Sequence, residues 1–139
     1  MAKAKTKTLI EERLEKYTEL LKEIDTEERR KNALHDDGTL IYRRAKAGVC
    51  DSLRRLLDKE QAEYELLVGI INALPRFEQR QVMLARYMDG QKWKNVTAAM
   101  FGDKKDYTER VESYMRRVRR IHETALKNAN RILESHERG

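Results

Sequence analysis

The chain has 139 residues, enough for one compact domain or for a small domain with a helical extension. Charged residues make up 39%, proline occurs once and apolar residues reach 40%, which points away from wholesale disorder and towards an all-helical chain with long helices. The net charge is +6, no run of about 18 apolar residues is available to span a membrane, and the single cysteine, Cys50, leaves no internal disulfide, so an intracellular, reducing setting is the default.

In chain order, residues 1–8 form a basic arm without the apolar core of a signal peptide. Thr8-Leu9-Ile10-Glu11 is a capping box, with Thr8 as N-cap and Glu11 reaching back. Ile10, Leu14, Tyr17, Leu21 and Ile24 then step by four and three, an a/d seam over two heptads, on a helix expected to reach about Leu34. His35-Asp36-Asp37-Gly38 is a turn. A second helix begins between Thr39 and Gly48 and runs to Leu74. Its seam is Cys50, Leu53, Leu57, Glu60, Tyr64, Leu67, Ile71 and Leu74, with Glu60 as the charged intruder and Leu56, Leu66 and Ile70 widening the apolar face. Two seamed helices across a short turn suggest an antiparallel hairpin, or self-association through one seam. Two helices are a poor core alone, so a homodimer is expected, although the seams do not fix the oligomer number.

Pro75 ends the second helix and suits the first turn of the next. A third helix is expected over Arg76–Met88, a turn at Asp89-Gly90, and a short fourth helix over Gln91–Met100 with Trp93, Val96 and Met100 on one face. Phe101-Gly102-Asp103 breaks it, and Asp106-Tyr107-Thr108-Glu109 is a second capping-box pattern opening a long helix. On that helix Val111, Met115, Val118, His122, Ala125, Ala129 and Ile132 form one apolar stripe.

The long helix also holds the arginine run Arg116, Arg117, Arg119 and Arg120. At 100° per residue, Arg116 and Arg120 lie about 160° from Val118, opposite the stripe, with Ser113 nearby and Arg117 and Arg119 on the flanks. From Lys104 to Leu133 there are nine basic residues against four acidic ones, so this helix and its approach carry most of the excess charge. A charge run on a helix is most simply a solvated face. Concentration in one place argues instead for an anionic partner there, and an anchored helix with an opposed basic face suits phosphate or a groove.

Other candidates have plainer readings. Trp93 is a core anchor, and His122 on the apolar stripe is a packed or hydrogen-bonded core histidine. His35, His122 and His136 share no metal-ligand spacing. Asp36-Asp37 belongs to a turn, and Cys50 is a small seam residue. There is no phosphate-cradling glycine loop and no nucleophile motif. No catalytic residue, metal ligand or cofactor is expected, and nothing in the sequence suggests an enzyme.

Leu74 and the run Arg80-Gln-Val-Met-Leu-Ala-Arg-Tyr-Met-Asp-Gly90 resemble sigma-factor region 4, with its leucine, arginine, Arg-Tyr pair and turn glycine. Trp93-Lys-Asn-Val96 is similar to that family's short helix after the turn, and Val118-Arg-Arg-Ile-His-Glu-Thr-Ala-Leu126 to its recognition helix. The Trp93 version and the Arg-Ile-His…Ala-Leu version look most like the RinA- and ArpU-like late-gene transcription activators of phages infecting Gram-positive bacteria. The resemblance covers roughly Leu74 to Leu126; the first half matches only in its long helical character. It implies a transcriptional regulator that binds double-stranded DNA in the cytoplasm of a bacterial host cell, with host RNA polymerase as an implied partner. It places Arg116, Arg117 and Arg120 on the groove-facing side and Arg119 towards the flanking backbone. Lys104 and Lys105 are candidate phosphate contacts, and Lys92, Lys94, Arg110 and Ser113 complete the DNA-binding set. Two features depart from the family: Thr97 stands where alanine is usual, and the Phe101–Val111 connection is longer than a minimal turn.

The expected organisation is thus a helical, coiled-coil-like oligomerisation region over 1–74, a region-4-like helix-turn-helix over 75–133 and a tail over 134–139. A phage small terminase subunit, which joins a helix-turn-helix to ring-forming helices at a packaging site, is an alternative. So is a non-DNA helical interaction module whose basic helix docks an acidic protein.

Overall fold

The computed structural model describes residues 6–138; residues 1–5 of the expected basic arm, and Gly139, lie outside the described residues. Those described form five α-helices and no strand: α1 Leu9–Ala33, α2 Leu40–Asn72, α3 Phe77–Met83, α4 Trp93–Phe101 and α5 Val111–Arg138. No helix among them is long and apolar enough to cross a membrane. The chain divides into two compact units, one of Glu15–Glu65 and one of Met1–Leu14 with Leu66–Gly139. The division between these units falls inside α1 and α2. The expected tail is largely helical, since α5 continues to Arg138.

The Glu15–Glu65 unit contains the body of α1, a turn and most of α2. Its apolar cluster is Ile24, Val49 and Leu53, with Leu20, Leu34 and Leu56 packed against it. Ile10, Leu14, Tyr17 and Ile24 of the α1 seam and Leu53, Leu67, Ile71 and Leu74 of the α2 seam are buried as expected, and the departures are a local rotation within this unit. Leu20, not Leu21, faces the cluster, and Val49 and Leu56 replace Cys50 and Leu57. The line through Leu53 and Glu60 is common to both versions of the α2 seam, so spacing alone leaves the flank undecided. A polar contact accompanies the rotation. Tyr17 is buried, and its hydroxyl donates to Glu60 Oε1 at 2.8 Å, so Glu60 faces α1. Burial first, and then this carboxylate, push the Tyr17 pKa upwards and keep the hydroxyl a donor.

The turn is built as its residues require. Asp36 Oδ1 accepts the Gly38 N–H at 3.1 Å, and Gly38 takes φ +74°, where a side chain is disfavoured. Asp37 Oδ1 accepts from Thr39 N–H and Oγ1, and Thr39 Oγ1 in turn accepts the Tyr42 N–H at 3.1 Å, capping α2. The Thr39 bonds hold the Asp37 carboxyl below the usual carboxylate range.

In the other unit the Thr8 capping box is present: Glu11 N–H donates to Thr8 Oγ1 at 3.4 Å, and Thr8 N–H donates to Glu11 Oε1 at 3.3 Å. Ile10, Leu67, Ile70, Ile71, Leu74, Val82, Met83, Ala125, Ala129 and Leu133 are all buried. Polar contacts fix the start of α1 along the end of α5. Ile10 N–H donates to Asn130 Oδ1 at 3.1 Å, and Arg13 pairs with Glu137 at 3.3 Å. Asn128 donates to buried Gln79 at 3.2 Å, tying α5 to α3. Arg80 donates to the Leu74 carbonyl at 2.6 Å, satisfying an acceptor on the connection between α2 and α3.

After α3 the chain widens into a π-type turn, Leu84–Met88, closed by Asp89 N–H to the Leu84 carbonyl at 2.9 Å. Gly90 follows at φ +66°, and Gln91 N–H returns to the Ala85 carbonyl at 2.9 Å. Gly90→Ala is expected to destabilise by about 1–2 kcal/mol, the cost of a left-handed non-glycine residue. A thermal melt followed by circular dichroism checks this; an unchanged Tm would mean that the turn relaxes without cost.

Candidate nucleic-acid interface

Burial on one side of α5 sets up the charge on the other. Val118, Ala125, Ala129 and Leu133 are buried, with Val111, Met115, His122 and Ile132 partly covered. The stripe drifts from the expected Ile132 to Leu133 at its end. Around Val118, a second cluster joins Val82 of α3, Val96 and Phe101 of α4, and the flanking Trp93, Tyr107, Tyr114 and Ile121. Both α3 and α4 thus pack on α5, and the residues opposite Val118 face water.

The motif residues serve mainly to hold this arrangement. Arg86 lies over the Trp93 indole at 4.7 Å from its centroid and donates to the Gln91 carbonyl at 3.0 Å, bracing the turn before α4. Trp93, half-buried, meets the His122 ring edge-on at 4.6 Å. Tyr87 stacks on the same ring, with its hydroxyl 2.6 Å from His122 Nε2. Thr97, where the resembled family has alanine, is buried with its hydroxyl satisfied, donating to the Trp93 carbonyl at 2.8 Å. His122 is therefore packed and hydrogen-bonded.

The connection between α4 and α5 is long but ordered. Lys104 N–H returns to the Phe101 carbonyl at 3.0 Å, and Arg110 N–H to the Asp106 carbonyl at 2.9 Å. Tyr114 of α5 stacks on Phe101 at 5.0 Å and lies 5.8 Å from Tyr107, so the connection folds back on the helix. The expected capping box at Asp106 does not open α5, which begins at Val111. Asp106 instead accepts from the Tyr114 hydroxyl at 2.6 Å and pairs with Arg110 at 3.5 Å. The Tyr114 bond holds the Asp106 carboxyl below its ordinary range and, in return, raises the Tyr114 pKa.

All ten residues of the expected DNA-binding set are exposed. They fall on three pieces of chain: Lys92 and Lys94 at the start of α4, Lys104, Lys105 and Arg110 on the connection, and Ser113, Arg116, Arg117, Arg119 and Arg120 on the first part of α5. Their surroundings differ. Arg110 is paired with Asp106, and Arg117 lies over the Phe101 ring at 5.0 Å. Arg119 borders a cleft of about 310 Å³ lined also by Trp93, Thr97, Met115, Val118 and His122. Among the described residues, the guanidinium groups of Arg116, Arg119 and Arg120 have no ion pair or hydrogen bond. Lys127, part of the basic excess but outside the expected DNA-binding set, is exposed and lies seven residues after Arg120, hence on the same outer face. Glu112 and Glu123 also occupy that face, so the basic surface is focused at Arg116–Arg120 and not spread along the helix. No group of side chains among the described residues has the makings of a metal site.

His122 makes this core pH-sensitive. Burial first, and then Arg86, lower its pKa below the ordinary 6.5. The unfolded chain therefore binds the proton more readily, so stability is full above about pH 6.5 and declines as pH falls below it towards the lowered folded value. Thermal melts from pH 7.5 to 5 should show Tm falling in the wild type and falling less in His122→Gln. Equal slopes would mean that His122 titrates alike in both states.

Comparison of the chain with family models, curated proteins and solved structures finds no match.

Proposed function

We propose that this chain is a sequence-specific, double-stranded DNA-binding transcriptional regulator of the phage late-gene activator type, acting as a homodimer. In this reading α3, the Gly90 turn, α4 and α5 make a region-4-like helix-turn-helix following a helical hairpin, and the outer face of α5 lies in the major groove. Host RNA polymerase is the partner that the family resemblance adds. The observation that carries the reading is the one-sided construction of α5. Val118, Ala125, Ala129 and Leu133 anchor it from behind, while Arg116 and Arg120 project from the opposite side without an acidic partner.

The roles follow from position. Arg116 and Arg120 are suited to guanine edges, which offer two acceptors to a guanidinium. Arg119, Lys92, Lys94, Lys104 and Lys105 sit on the flanks and on the connection, where phosphate is the natural counterpart. Arg117 is already stacked on Phe101 and reaches backbone from that platform. Ser113 adds a small polar contact one turn before Arg117. A two-fold dimer would read a pseudo-palindromic site, because each protomer meets the same sequence on opposite strands.

Fluorescence anisotropy with a bound duplex and with random duplex tests these roles. Arg116→Ala or Arg120→Ala is expected to weaken the specific complex by about 1–3 kcal/mol and to leave random DNA less affected. Arg119→Ala or Lys104→Ala should weaken both alike and reduce the salt slope by about 1. If Arg116→Ala/Arg120→Ala binds as tightly as the wild type, α5 does not lie in the groove.

A further inference from the structure

The cleft of about 310 Å³ between α4 and α5 lies at the small end of the size range of ligand pockets, about 300–1,000 Å³. Trp93 and Thr97 line it from α4, and Met115, Val118, Arg119 and His122 from α5. Most of this lining is apolar. The Thr97 hydroxyl is committed to the Trp93 carbonyl at 2.8 Å, so the Trp93, Met115 and Val118 side chains set the character of the walls.

Two polar groups on the cleft are left without a partner. Arg119 is the one cation that lines it, and its guanidinium has no ion pair or hydrogen bond among the described residues. His122 uses Nε2 on the Tyr87 hydroxyl at 2.6 Å, while its Nδ1 has no hydrogen bond. No buried side-chain nitrogen or oxygen among the described residues lacks a partner, so Nδ1 is not sealed in the core. When the Tyr87 hydroxyl donates to Nε2, the neutral ring carries its proton on Nδ1 and offers a second donor.

These groups specify an occupant. One guanidinium matches one carboxylate, whose two oxygens accept its paired N–H groups. A phosphate dianion would call for a second cation, and Arg86 is already engaged with the Trp93 ring and the Gln91 carbonyl. The walls favour a hydrocarbon body, because a polar one would lose water there without gaining a partner. Trp93 adds an aromatic surface for a flat ring.

We propose that this cleft binds a small apolar monocarboxylic acid, with its carboxylate on Arg119 and its hydrocarbon body against Trp93, Met115 and Val118, and that the acid competes with DNA for Arg119. The competition rests on the proposed function, which assigns Arg119 to phosphate. An acid held on Arg119 removes that contact and so weakens specific and random duplex alike.

Trp93 is the single tryptophan of the chain and lines the cleft, so its fluorescence reads occupancy. The full chain is titrated with phenylacetate to tens of millimolar at constant ionic strength, and in parallel with phenylacetamide, which has the same shape without the charge. A saturable change in Trp93 emission is expected with phenylacetate. The dissociation constant should be at least about tenfold higher for phenylacetamide, and for phenylacetate on Arg119→Met, which keeps an apolar stem but loses the charge. Fluorescence anisotropy with random duplex then reads the competition. Saturating phenylacetate should weaken the wild type by the same factor as Arg119→Met does and should not weaken that variant further. No saturable change, or one that phenylacetamide or Arg119→Met reproduces equally, would overturn the site. Saturable binding that leaves duplex affinity unchanged would overturn the competition. The first titration contains no DNA, so a chain that binds no duplex would sink the proposed function while the acid site is still decided by fluorescence.

Discussion

The contact on which the C-terminal architecture depends is Val118 of α5 against Val82 of α3 and Val96 of α4. Val118 is buried in the middle of the most basic stretch of the chain, with arginines at both of its immediate neighbours and one position beyond each. Burying it turns Arg116 and Arg120 outward and leaves Arg117 and Arg119 at the edges, because a helix cannot bury one residue without presenting those two positions away on the far side. The rotation of α5 and the direction of its charge are therefore one property. Loss of the apolar contact would scatter the arginines as well as loosen the fold.

Around that contact the polar residues divide between bracing and display. Arg80, Arg86, Asp106, Arg110 and Tyr114 have their charges and donors engaged within the unit, on the Leu74 carbonyl, on Trp93 and the Gln91 carbonyl, and on one another. The guanidinium groups of Arg116, Arg119 and Arg120 make no such contact among the described residues. A merely soluble surface would mix its charges along the helix. Here Glu112 and Glu123 bracket the arginines, which concentrates positive potential over little more than one turn.

Much of this was legible in the sequence, for physical reasons. The Thr8 capping box, the aspartate turn before Thr39, the Gly90 turn and the all-helical class follow from local chemistry, which neighbours far along the chain seldom override. The buried side of α5 was legible because its period is long and regular. Three things were not. The α2 seam shares Leu53 and Glu60 with an adjacent register, and a tertiary hydrogen bond, Tyr17 to Glu60, accompanies the observed one. Asp106 has capping-box spacing, but Tyr114, eight residues on, competes for its carboxylate. The compact units cut through α1 and α2, because Ile10 and Arg13 are tied to Asn130 and Glu137 by contacts that no local pattern announces. Of the candidate site, position and exposure were legible. The prior engagement of Arg110 and Arg117 was not, since it depends on how the connection folds back.

The central claim is that the outer face of α5 reads duplex DNA. Selection of bound fragments from a random duplex pool at physiological salt, followed by sequencing, tests it most directly. The account predicts enrichment of one pseudo-palindromic sequence by the wild type, and loss of that enrichment in Arg116→Ala/Arg120→Ala while residual binding to random duplex persists. A pool that emerges without sequence preference, or one enriched equally by the double variant, would contradict it.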